Sequence, residues 1–231
     1  ASLTLRYAPG ESFVNSKQRR IPVSLDAPIF TLTHAMGFKG VLGGEYSFNR
    51  TEASVWKRFW LPSSWGKIDC SIKAGAEWNT VPFPLLILPE ANLSYITQRE
   101  TFNLINNMEF LNDRFASVSL SYDMNGKLFN RIPLIKNLKW REMFRVRALW
   151  GTLTDKNNPF KSSNPDLFRF PMRDGKFTSF VMDPKIPYVE ASVGIYNIFK
   201  LLHIEYVHRF TYRDNPGINK NGVRFMVLMA F

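Results

Sequence analysis

The sequence predicts an all-β fold: a transmembrane antiparallel β-barrel of which this chain supplies about nine strands. Three observations predict it. Apolar and polar residues alternate with a period of two along nearly all of the 231 residues, and that is the signature of a half-buried strand. The alternating runs mostly reach the roughly 9 to 11 residues that a tilted strand needs to cross a bilayer. The chain ends inside such a run, with Val223, Phe225, Val227, Met229 and Phe231 forming one apolar face closed by an aromatic. Chain ends usually fray, whereas a barrel must pair its final strand because hydrocarbon tolerates no open edge. These features lead to the expectation of an outer-membrane location.

Taken in order, 2–8 and 28–36 read as short strands, and 44–60 as a longer one whose phase slips near Asn49–Arg50, as a bulge would cause. The clearest strand is 67–79. Ile68, Cys70, Ile72, Ala74, Ala76 and Trp78 share one face, and Lys67, Asp69, Ser71, Lys73 and Glu77 share the other. In 114–124, Ala116, Val118, Leu120 and Tyr122 oppose Ser117, Ser119, Ser121 and Asp123. Within 139–153, Phe144, Val146, Ala148 and Trp150 oppose Arg145 and Arg147. Val189, Ala191, Val193 and Ile195 oppose Glu190, Ser192 and Gly194 in 188–196. In 202–213, Leu202, Ile204, Tyr206 and Phe210 oppose His203, Glu205 and Arg209, and 222–231 carries Arg224 on its polar face. Connections alternate between short (61–66, 197–200) and long (81–104, 155–186), with 213–221 between and 125–138 longer than a turn requires. Barrels put short turns on the periplasmic side and long loops outside.

Composition fits this reading. The chain is 45% hydrophobic with 20 Phe, yet no apolar run is long enough for a spanning helix, and 81–89 is broken by Pro82 and Pro84. The formal charge of +11 admits a nucleic-acid surface, anionic lipid contact or a charged lumen. The bases share their face with acids while the aromatics lie opposite, which argues against nucleic acid. Lys17, Arg19 and Arg20 form a basic cluster in a turn, where it either meets lipid head groups or is simply solvated. Cys70 is the lone cysteine and forms no intrachain disulfide. No leader peptide is visible at Ala1, so the chain is expected to be mature, trimmed or a piece of something longer, of which a piece is the favoured reading.

The wording of several segments then becomes specific. Phe129-Asn130-Arg131-Ile132-Pro133-Leu134-Ile135-Lys136, Leu138-Lys139-Trp140-Arg141-Glu142 and Leu149-Trp150-Gly151-Thr152-Leu153-Thr154-Asp155-Lys156-Asn157-Asn158-Pro159 occur in order. Arg6-Tyr7-Ala8-Pro9-Gly10-Glu11, Gly37-Phe38-Lys39-Gly40, Pro82-Phe83-Pro84-Leu85-Leu86 and Pro187-Tyr188 accompany them. With these, the whole chain resembles a Bacteroidota outer-membrane family of unknown function that carries a carboxypeptidase-regulatory-like domain ahead of a BamA-like barrel. The resemblance implies a barrel of about sixteen strands, of which this is the C-terminal half, lacking the earlier strands and the periplasmic domain. It also makes 81–104 the counterpart of the sixth extracellular loop of BamA-type assembly factors. The Arg-Gly-Phe-type motif of that loop is missing here, the nearest sequence being Pro89-Glu90-Ala91-Asn92, which departs from an insertase.

The candidate residues follow from the faces. A lumen polar network is expected from Lys73, Glu77, Arg145, Arg147, Glu190, His203, Glu205, Arg209 and Arg224. Barrel closure and the C-terminal signal are expected from Phe225, Val227, Met229 and Phe231. The apolar loop residues Phe83, Leu85, Leu86 and Leu88 either plug the lumen, dock a partner or pack over the barrel mouth. Ser192, His203 and Glu190 or Glu205 have the residue types of a hydrolytic triad, but a polar lumen network is the reading favoured over it. His34 and His208 fall on the lipid side, and three scattered His with one Cys do not make a zinc site. Asn49-Arg50-Thr51 and Asn92-Leu93-Ser94 match glycosylation sequons of the kind that chance supplies. The expectation is a non-enzymatic outer-membrane barrel without cofactor, acting in outer-membrane protein assembly or in an envelope complex. Its partners would be outer-membrane lipid, other outer-membrane or periplasmic proteins and the rest of its own barrel, with no nucleic acid. The alternatives are a transport or enzymatic barrel with a functional lumen, and a soluble basic β-protein.

Overall fold

The computed structural model describes residues 1–227 except 42, 99, 162–166 and 168. Nine strands form one antiparallel sheet: β1 (Ser2–Tyr7), β2 (Ile29–Gly37), β3 (Phe48–Trp60), β4 (Lys67–Glu77), β5 (Arg114–Asp123), β6 (Arg141–Thr152), β7 (Tyr188–Ile198), β8 (Leu202–Arg209) and β9 (Asn221–Val227). Each strand pairs with its neighbours in sequence, so the topology is a meander. Among the described residues no strand pair joins β1 to β9, and the sheet is open. Every strand except β1 contributes to the lining of one cavity of about 580 Å³, from Thr31 on β2 to Met226 on β9. The sheet therefore curls around its polar face.

The alternation read from the sequence is the one the sheet uses, with an inverted burial pattern. On β7, Tyr188, Glu190, Ser192 and Gly194 are buried while Val193 is 50% exposed. On β6, Arg145, Arg147 and Leu149 are buried, and Phe144, Val146 and Trp150 are exposed. Ile72, Leu120, Tyr206 and Phe225 are exposed on the same outer face. A water-soluble sheet buries its apolar face and solvates its ionic one. Here the two are exchanged.

Connections differ at the two ends of the sheet. At one end, residues 61–66, 124–140 and 199–201 join strands, together with an exposed hairpin, Phe13–Asn15 paired with Arg20–Pro22, between β1 and β2. At the other end, 78–113 and 153–187 are long and fold over the sheet. The dry core lies there. Phe102, Ile105, Phe110 and Met182 from the long connections pack on Leu149 and Tyr188, with Phe110 edge-on to Tyr188 at 5.9 Å and to Tyr212 at 5.0 Å. A second cluster joins Val81, Leu86 and Leu111 to Leu153 and Phe170.

Three details differ from expectation. β3 pairs with β2 and β4 in unbroken register through Asn49 and Arg50, so there is no bulge there. The apparent slip came from Phe48, which shares the cavity side with Glu52 and Ser54 but packs against the cluster of Val81, Leu86 and Leu111 in the long connections. The register shift is instead between Ile195 and Ile198, opposite β8, next to Asn197 in the left-handed region. Finally, 125–138 is no simple turn: it holds a 3-10 turn, Phe129–Arg131, and a short helix α1 (Pro133–Leu138). Pro133 suits the first turn of α1, and Lys139 ends it in the left-handed conformation.

The tight turn before β4 depends on one glycine. Gly66 has φ +89, and a Cβ there would sit 1.8 Å from the Asp123 carbonyl oxygen. Gly66→Ala is therefore expected to cost well over the roughly 1 kcal/mol of an ordinary glycine replacement, read as a lower denaturation midpoint.

Candidate functional site

The site is the contact between the polar face of the sheet and the 78–113 connection that lies across it. Glu190 on β7 is 2% exposed and accepts the Asn103 and Leu104 backbone N–H groups at 2.9 and 3.0 Å. It also accepts the Tyr188 hydroxyl at 2.9 Å and Arg147 at 3.2 Å. Arg209 on β8 is fully buried and donates to Glu109 at 2.6 and 3.0 Å. Its remaining donors reach the carbonyls of Leu104, Thr211 and Tyr212. Arg147 donates to the Gln98 carbonyl, Arg224 to the Asn103 carbonyl, and Lys73 pairs with Glu90 and Glu100 at 3.0 and 3.1 Å. Glu190, Arg147, Arg209 and Glu109, ions that a burial argument would place in water, are instead desolvated and paired, which is the condition on which a protein tolerates them.

A second group lies beside the first. Arg145 donates to both Glu205 oxygens at 2.9 Å, the Ser192 hydroxyl bonds Glu205, and His203 Nε2 lies 3.4 Å from the same carboxylate. In a hydrolytic triad the imidazole stands between hydroxyl and acid. Here the carboxylate stands between hydroxyl and imidazole, so no base is placed on Ser192.

The expected network thus divides. Arg147, Glu190, Arg209, Arg224 and Lys73 hold the 78–113 connection; Arg145, Glu205 and His203 hold one another. Glu77 stands apart at the end of β4, buried, with Arg50 at 3.5 Å and the Asn49 N–H at 2.8 Å. Of the closure residues, Phe225 and Val227 lie exposed on the edge strand, and Met229 and Phe231 lie outside the described residues. The outer backbone edge at Phe225 is not free. Its N–H donates to the Tyr95 carbonyl at 2.8 Å, and its carbonyl accepts the Thr97 N–H at 2.6 Å. The apolar loop packs: Leu86 is buried against Leu111 and Leu153, Phe83 and Leu85 border that cluster, and Leu88 is partly exposed at the cavity wall. His34 and His208 are half-buried on the outer face, bonded to Thr51 and Asn221.

Sequence reasoning missed the partners that the long connections supply. Glu109 and Asn103 meet the sheet, and Asp113 ties the two connections together through the Thr154 N–H, the Thr154 hydroxyl and Asn157 at 3.0 Å. One signal was present: Glu109 directly precedes Phe110 and Leu111 in a loop otherwise rich in Asn. Tyr212, in the connection after β8, donates to the Ile186 carbonyl at 2.6 Å, and burial pushes its hydroxyl above the usual range.

Among the described residues no group of His, Cys, Asp and Glu is arranged to hold a metal ion. No helix is long and apolar enough to cross a membrane, which says nothing of a β-barrel. No curated protein matches the chain. A family described as "Family of unknown function (DUF5686) C-terminal domain" matches residues 1–160, which span β1 to β6 and the whole 78–113 connection, and leaves β7 to β9 outside the match. The chain belongs to that family.

Proposed function

We propose that this chain is the C-terminal half of a BamA-like, about sixteen-stranded outer-membrane barrel of a Bacteroidota bacterium. Its role is non-enzymatic, in outer-membrane protein assembly or as a component of an envelope complex. One observation carries the reading: the sheet exposes its apolar face and buries its ions. Ile72, Val146, Val193, Tyr206 and Val227 are exposed on the outside while Glu190, Glu205 and Arg209 are buried. Water penalises that arrangement and hydrocarbon favours it. The open edge of β1 suits a sheet completed by further strands, since lipid tolerates no unpaired edge. Leu93, Tyr95 and Ile96, exposed beside the β9 edge, offer an apolar contact for a protein partner.

Depleting the protein in cells is expected to lower the folded fraction of other outer-membrane barrels, read from their heat-dependent gel mobility, or to dissociate a co-purifying envelope complex. No change in either removes the reading. A second reading, a transport barrel, is favoured by the cavity of about 580 Å³, whose wall includes Ser54, Ser71, Ser117, Ser119 and Ser121. Depletion that blocks uptake of a polar solute and leaves barrel assembly intact would select it.

A further inference from the structure

The surplus positive charge of the connecting segments sits at one end of the sheet. In 61–66, 124–140 and 199–201 the charged residues are Lys127, Arg131, Lys136, Lys139 and Lys200, with no Asp or Glu. The neighbouring 8–28 connection adds Lys17, Arg19 and Arg20 against Glu11 and Asp26. At the opposite end, in 38–47, 78–113, 153–187 and 210–220, acids and bases balance one for one. Arg131, Lys136, Lys139 and Lys200 are all exposed.

The three acid-free connections form one surface. Lys127 donates to the Ser63 carbonyl at 2.8 Å and stands 5.1 Å over the Trp65 ring, and Asn197 donates to the Lys139 carbonyl at 2.7 Å. Between 61–66 and 124–140 lies a shallow hollow of about 400 Å³, lined by Ser64, Asn125, Lys127, Asn130 and Arg131. Two cations, two carboxamides and a hydroxyl converge there without a carboxylate. The Arg131 guanidinium has no ion-pair or hydrogen-bond partner among the described residues. Large apolar side chains stand exposed around it, Leu134 at 83% and Phe199 at 81%, with Ile132, Leu138 and Trp65 beside them.

We propose that this hollow is a binding site for the phosphate of an anionic phospholipid head group, with α1 and Phe199 lying in the boundary of the same leaflet. Guanidinium and ammonium groups suit a phosphate. Basic residues at a membrane surface attract anionic lipid by about a factor of five per cation, and exposed apolar residues beside them enter the acyl boundary. A soluble phosphate ligand would leave Leu134 and Phe199 unexplained; a lipid uses both halves of the surface. The proposal rests on the membrane reading above.

The test uses the full chain reconstituted in phosphatidylcholine bilayers that contain brominated phosphatidylglycerol or brominated phosphatidylcholine at equal mole fraction. Tryptophan quenching is the readout, with Trp65 at the site. Stronger quenching by brominated phosphatidylglycerol is expected. Arg131→Gln should reduce that preference roughly fivefold, and R131Q with K127Q, which removes both cations of the hollow, should abolish it. Both variants should remain quenched by brominated phosphatidylcholine. Lys185→Gln, at the opposite end, should change nothing. Equal quenching by the two lipids in the unaltered protein, or a preference that survives R131Q with K127Q, overturns the site and leaves the membrane reading standing. No quenching by either lipid removes the membrane reading itself, and the site with it.

Discussion

Glu109→Ala is expected to destabilise the folded chain by about 3–5 kcal/mol, the cost of leaving a buried charge without its partner. Arg209 is fully buried and spends two of its donors on Glu109. With the carboxylate gone, no other acid pairs with Arg209, because Glu190 is already occupied by Asn103, Leu104, Tyr188 and Arg147. Asn215 and the Asn106 N–H would lose the same acceptor. The damage should be local first: the 78–113 connection should become sensitive to protease before the sheet unfolds. Replacing both partners, Glu109→Leu with Arg209→Met, should recover much of the loss, since two apolar groups leave no charge stranded. Measured by denaturant midpoint and limited proteolysis, a cost under about 1 kcal/mol for Glu109→Ala would mean that the pair is solvated, and the burial described above would be wrong.

The second large effect concerns the outer face. Ile72→Arg and Val193→Arg place a cation where side chains are 45% and 50% exposed. Exposed surface in water accepts such changes within about 0.5 kcal/mol. A bilayer does not: at its midplane each should cost about 2–4 kcal/mol, and less toward the interfaces. Both variants should insert poorly into vesicles while refolding normally in a zwitterionic detergent that screens the charge. Insertion of both at the unaltered level would place this face in water and remove the membrane reading. The sign of the effect, more than its size, separates the two environments.

Much of the architecture was legible because strand periodicity is local. Successive side chains alternate faces whatever the partner, so Ile68 to Trp78 declare an apolar face on their own, and so do Phe144 to Trp150. The ionic character of the opposite face was legible for the same reason. Local noise misled where an apolar residue on the cavity side meets the long connections. Phe48 looked like a phase slip beside Asn49 because it packs on Val81, Leu86 and Leu111. The helix in 133–138 was hidden because six residues give too little periodicity to read, although Pro133 marked its start.

The candidate site was half legible. Glu190, Arg147 and Arg209 were identifiable from their face, while Glu109 and Asn103 were not, because they sit in a connection whose path obeys no period. Ser192, His203 and Glu205 show the same limit. Their residue types suggest a triad, and only the order of the hydrogen bonds, with the carboxylate in the middle, shows that the imidazole does not face the hydroxyl.

By itself the sequence determined the all-β meander, the two chemically opposite faces and the uneven charge of the connections, since each is written in the spacing of neighbouring residues. Only the tertiary structure decided that Asn103, Leu104 and Glu109 of the 78–113 connection are what covers the ionic face. It alone decided that Tyr95 and Thr97 occupy the backbone edge of β9. Those contacts join residues far apart in the chain, from about a hundred positions between Glu109 and Arg209 to about 130 between Tyr95 and Phe225. Their free energy comes from excluding water from both partners at once, a quantity no single segment of chain possesses.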